Sequence, residues 1–191
     1  MSHIETIPET DATGPLADLY TRGANPDGRV DNVLKAHSLN PESLQAHLDL
    51  YVQSCHRPSP VPRVTREMVG VTVSRLNGCA YCVAHHTSGL ERLLPDDRKP
   101  VAARLGEGDE SGLTDAERAA CAYARRLTTE PASITRADID DLRDHGYDDR
   151  AVLDIAQVAA YFAYANRIVL GLGVGLESPD AVGHHPPGSG S

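Results

Sequence analysis

A chain of 191 residues, 40% of them apolar, is long enough to close a sizeable core as one domain. Its net charge of −9, with no basic cluster, opposes a phosphate backbone and excludes nucleic acid as an expected partner. No stretch joins a basic flank to a long apolar run or reaches membrane-spanning length, so no membrane is expected and the chain is placed in the cytoplasm, where four cysteines point to catalysis or metal binding rather than a disulfide scaffold.

Residues 1–13 are polar and read as extended. A short helix is predicted over 14–21, a Gly-, Asn-, Pro- and Asp-rich loop over 23–29, and another short helix over 30–37. Asn40-Pro41 supplies an N-cap followed by proline at the first helical position. Leu44, Leu48, Tyr51 and Val52 then form the apolar stripe of a helix ending near Cys55. Three prolines within residues 56–63 make a rigid connection.

Between residues 64 and 76 the apolar positions Val64, Met68, Val69, Val71, Val73 and Leu76 are too continuous for clean alternation, which predicts a buried helix. The β-branched residues keep a strand open as the alternative. Asn77-Gly78 should end that element, because glycine enters the left-handed region without steric cost. A second helix begins near Cys79, with Tyr81, Val83, Ala84, Leu90, Leu93 and Leu94 at helical spacing, and stops before Pro95.

Pro95-Asp96-Asp97 is predicted to open a helix running to about Leu105, followed by a polar loop over 106–112. Thr114 with Glu117 is a capping-box pattern and opens a helix through Leu127. A further helix is predicted from Thr135 to His145, ending at Gly146, and Asp148 caps the last long helix, Arg150 to about Gly171. The domain is expected to close by residue 177, with residues 178–191, rich in Pro, Gly and Ser, as a disordered tail.

The candidate site lies at residues 67–86. On a helix, Cys79 and Cys82 fall one turn apart with Cα atoms roughly 5 Å from each other, inside the window for a disulfide. The positive end of the first turn should lower the pKa of at least one thiol. His86 follows Cys82 by four residues and faces the same way, positioned to exchange a proton. If the two segments fold as an antiparallel hairpin, Glu67 comes level with His86 and completes a relay from Glu67 through His86 to Cys82. His85 points about 100° away and reads as structural or interfacial. Tyr81 reads as a packing or pocket-lining residue, and Cys55 and Cys121 as small buried apolar residues.

Glu67, eleven residues, Cys79-Ala80-Tyr81-Cys82, three residues and His86 resemble the signature of the alkylhydroperoxidase D-like branch of the carboxymuconolactone decarboxylase family. Residues 166–174 resemble a second segment common in that family. The resemblance implies a single all-α domain of about eight helices that assembles as a homo-oligomer. It also implies peroxidase chemistry in which Cys82 attacks a hydroperoxide, Cys79 resolves the sulfenic acid as a disulfide, Glu67 and His86 relay protons, and a dithiol or thiol-protein donor restores the thiols. No haem, flavin or metal cofactor is called for. One departure is Tyr81, where members with demonstrated peroxidase activity often carry histidine. Two other readings stay open: a carboxymuconolactone decarboxylase-like lyase, and a non-catalytic thiol- or metal-binding protein.

Overall fold

The computed structural model describes residues 2–177. The expected tail, 178–191, lies outside the described residues. Among those described there are nine α-helices and no strand, in keeping with the about eight anticipated: α1 (Gly14–Gly23), α2 (Asn32–Lys35), α3 (Pro41–Tyr51), α4 (Arg63–Leu76), α5 (Ala80–Leu93), α6 (Pro100–Glu107), α7 (Asp115–Thr129), α8 (Arg136–Asp144) and α9 (Asp149–Gly171). None of these helices is long and apolar enough to cross a membrane.

The fold is organised around α4, which packs against α5, α6, α7 and α9. All ten residues from Thr65 to Ser74 are buried. That settles the helix-or-strand ambiguity: the apolar run is continuous because the helix is enclosed on every side, not because alternate residues face a sheet. Leu48, Leu44, Met68, Leu90, Leu142, Ile155 and Phe162 are among the large side chains sealed from solvent.

Local capping follows the letters closely. Asn40 Oδ1 accepts from Ser43 N at 3.1 Å, and Thr114 and Glu117 exchange both hydrogen bonds of a capping box. Asp148 Oδ1 accepts from Ala151 N at 2.7 Å, which starts α9. The α3 stripe ends at Tyr51, and residues Val52–His56 continue as a wider π-type turn that buries Cys55.

The largest departure from an expected boundary is at the start of α6. The helix placed from Pro95 begins instead at Pro100, after a turn in which Pro95 O accepts from Arg98 N and Lys99 N. A helix running through would lack the bond from position 100, because Pro100 has no N–H to give.

Gly70, in the middle of α4, sets how closely α9 can approach. A Cβ there would overlap the Phe162 ring on α9. Gly70→Ala is therefore expected to destabilise the fold by about 1–2 kcal/mol, since overpacking outweighs the gain in helix propensity. Thermal or urea unfolding checks this, and a stabilised variant would show that the ring moves freely.

Candidate active site

The sequence places the two thiols by joining two helix signals in one turn. Gly78 N donates to Arg75 O at 3.0 Å and Cys79 N to Ser74 O at 2.9 Å, while Gly78 takes φ +69°. This is a Schellman closure of α4, and it needs the left-handed residue that Gly78 supplies. Its last residue, Cys79, is also the N-cap of α5. The first cysteine is thereby locked to the end of one helix and the start of the next, with Cys82 one turn on.

Both thiols are free and buried, Cys79 fully and Cys82 at 5% exposure. Cys79 is pulled down to about 7, first by the hydrogen bond from the Cys82 thiol, then by the Cys82 amide, the Asn166 side chain and the Tyr81 amide, against burial. Tyr81 and Cys82 are the second and third residues of α5, so these amides are the ones an N-cap side chain faces, although no cap hydrogen bond of full geometry is closed. The Cys82 thiol is pushed up by the same contact, because it holds the proton that Cys79 shares, and by burial. The pair thus titrates as a unit, with its first ionisation near neutrality.

Glu67 and His86 meet as the hairpin requires. His86 Nδ1 donates to Glu67 Oε2 at 2.8 Å, with both side chains about 95% buried. In neutral His86 this puts the lone pair on Nε2. Burial works against ionisation of Glu67, but His86, Arg63 and His56 outweigh it and hold the carboxyl below its usual range. The Phe162 ring stands edge-on to His86, with centroids 4.5 Å apart at 86°, and fixes the imidazole from the α9 side. Cys82 and His86 sit one turn apart on α5.

Two residues of the site escaped the sequence reading. Asn166, fully buried on α9, accepts from Asn77 Nδ2 at 2.9 Å and donates to Ser74 Oγ at 3.1 Å. Those partners fix its amide orientation, and its side chain helps lower both thiols. Glu177 receives Tyr81 Oη at 2.7 Å, Asn32 N at 2.6 Å and His85 Nε2 at 2.7 Å. Tyr81 and His85 are indeed packed, their rings 4.4 Å apart, and each is also tied to this carboxylate. No short-range pattern marks Glu177, whereas Asn166 lies in the segment of family resemblance.

Comparison with known proteins agrees with the fold. Residues 41–126 match the carboxymuconolactone decarboxylase family. A peroxidase-related protein from Silicibacter sp. TM1040 is 31% identical, with 79% of this chain and 78% of that one aligned and a TM-score of 0.74. A peroxidase-related protein from Ralstonia eutropha JMP134, described as an alkylhydroperoxidase AhpD core, is 22% identical over 93% of both chains with a TM-score of 0.84. The debrominase Bmp8 is 23% identical over 91% of both chains with a TM-score of 0.76. The last two share the fold.

Proposed function

Because the chain belongs to the carboxymuconolactone decarboxylase family, in its alkylhydroperoxidase D-like group, we propose that it reduces hydroperoxides through a reversible Cys79–Cys82 disulfide. The observation that carries this reading is a free dithiol one turn apart at the start of α5, on the same helix as the His86 of a buried Glu67–His86 pair.

The dithiol starts with one proton, held on Cys82 and shared with Cys79. That proton passes to Cys79 or to His86 Nε2, and the Cys82 thiolate attacks the distal peroxide oxygen. The O–O bond breaks, and the alkoxide leaves with a proton returned by the same groups. Cys82 is now a sulfenic acid. Cys79 thiolate attacks its sulfur, hydroxide leaves and takes a proton from solvent to become water, and a disulfide remains. A dithiol or thiol-protein donor then reduces it by exchange. The peroxide loses one oxygen, the donor loses two electrons, and no metal or organic cofactor takes part.

Cys82 is assigned the attack because it is the more exposed of the two and has His86 one turn on. Assembly as a homo-oligomer belongs to the same proposal. It is supported by exposed Leu153 and Tyr164, three turns apart on one face of α9, and is read by sedimentation.

The test is stopped-flow consumption of an organic hydroperoxide with a panel of dithiol donors, followed by peptide mapping. A Cys79–Cys82 bridge is expected, with Cys55 and Cys121 still free, since both are buried and their thiols are pushed up by burial. A Cys55–Cys121 bridge as the main product would sink the reading. A brominated pyrrole belongs in the panel because a debrominase shares the fold; its turnover in preference to every hydroperoxide would also overturn it.

A further inference from the structure

The dithiol packs in one apolar cluster with two pieces of chain from opposite ends of the sequence. Cys79, Tyr81 and Cys82 share one apolar cluster with Leu16, Val33 and Leu34 from the N-terminal arm and with Val174 from the segment after α9. That segment, residues 172–177, is held to the arm at its start by His3 N to Leu172 O at 2.7 Å, and in its middle by Asn32 Nδ2 to Gly175 O at 3.0 Å. Among the described residues, its far end is held by Glu177. One carboxylate oxygen takes the Tyr81 hydroxyl and the Asn32 amide; the other takes His85 Nε2, which is sealed from solvent.

These three donors belong to α5 and the start of α2, so a single side chain closes the strap onto the helix that carries both thiols. Burial disfavours the Glu177 anion, yet its hydrogen bonds hold it below the usual carboxylate range, so at neutral pH the latch is charged and made. A cleft of about 70 Å3, lined by Ser2, Thr6, Asn32, Lys35, Val174 and Gly175, marks the seam between strap and arm.

We propose that residues 172–177 form a strap, latched by Glu177 onto Tyr81 and His85, that gates access to the Cys79–Cys82 dithiol. The geometry demands a gate of some kind. A thiol that is 0% exposed and one that is 5% exposed cannot be approached in line by the sulfur of a protein donor, which disulfide exchange requires. A small oxidant needs less opening than a donor protein. The strap would therefore separate the oxidising and reducing half-reactions by size. The role in turnover rests on the peroxidase reading, but the gate itself does not.

The test uses labelling and no peroxide, so its outcome is independent of that reading. The reduced full-length protein and its Glu177→Ala variant are labelled with N-ethylmaleimide and with a bulky polyethylene-glycol maleimide, and each cysteine is followed by mass spectrometry. Both reagents need the same thiolate, so any change in thiol acidity scales the two rates alike, and their ratio reports access. At Cys79 and Cys82 the ratio of small to bulky reactivity is expected to be large in the parent and to fall by about tenfold or more in Glu177→Ala. Tyr81→Phe, which removes one of the three donors and keeps the ring, should fall between them. Cys55 and Cys121, buried outside the strap, serve as internal controls. An unchanged ratio at Cys79 and Cys82 would overturn the gate. A parallel rise in labelling at all four cysteines would also overturn it, because Glu177 would then be supporting the whole fold.

Discussion

Replacing Cys82 by serine is expected to lower hydroperoxide reduction by about three orders of magnitude or more, because a hydroxyl cannot supply the thiolate on which the first step depends. Cys79→Ser should behave differently. It keeps the attacking sulfur and loses only the resolving one, so it should consume about one peroxide equivalent and then stop with a sulfenic acid on Cys82. Its pH profile carries a second signature. In the parent, the dithiol first ionises at about 7, so the rate should rise as pH passes through that value. The Cys79 thiol raises Cys82 by hydrogen bonding and by charge, with burial adding to both. Without Cys79 the shared first ionisation of the pair is lost, and the rise should move upward toward the ordinary thiol value of about 8.5 or beyond. Dimedone trapping in both single variants decides the order of attack: labelling at Cys79 in Cys82→Ser, with none at Cys82 in Cys79→Ser, would exchange the two roles.

How much of this was legible in the letters depends on sequence distance. The α4–α5 hairpin is written locally: an apolar run, Asn77-Gly78, then two cysteines one turn apart. The short-range rules for helix ends therefore locate both thiols. Thr114 with Glu117 and Asp148 were legible for the same reason. Glu67 and His86 are 19 residues apart and meet only because the turn between the helices is short, so their pairing needed the fold as well as the spacing. Glu177 lies 92 residues from His85, and nothing around it distinguishes a latch from the first residue of a polar tail. Gly70 misleads for a related reason. In isolation it is a weak point in a helix, and only the Phe162 ring on α9 explains it.

His86→Ala is expected to slow peroxide reduction on the order of a hundredfold, and Glu67→Gln to add little once His86 is gone. The reason is that Glu67 has no route to the thiols of its own: its carboxylate receives His86 Nδ1, and only the imidazole stands one turn from Cys82. The double variant should therefore cost nearly the same as His86→Ala alone, whereas strict additivity would mean that the two residues act separately. A stability readout separates lost relay from lost structure. Removing the charged partner of a buried hydrogen bond should cost about 2 kcal/mol in Glu67→Gln at pH 7. Because the folded Glu67 carboxyl lies below its ordinary value, its stabilising contribution is present above the unfolded value of about 4.3 and is lost as pH falls through the folded one. The parent and Glu67→Gln should thus differ most at neutral pH and converge in acid. Tyr147, which donates to Ala116 O at 3.0 Å at the start of α7, offers a matched control. Tyr147→Phe should lose comparable stability, keep the peroxide rate, and show no convergence below pH 4.3. If Tyr147→Phe slowed peroxide reduction as much as His86→Ala does, the loss would trace to general loosening of the helices and the Glu67–His86 relay would have to be given up.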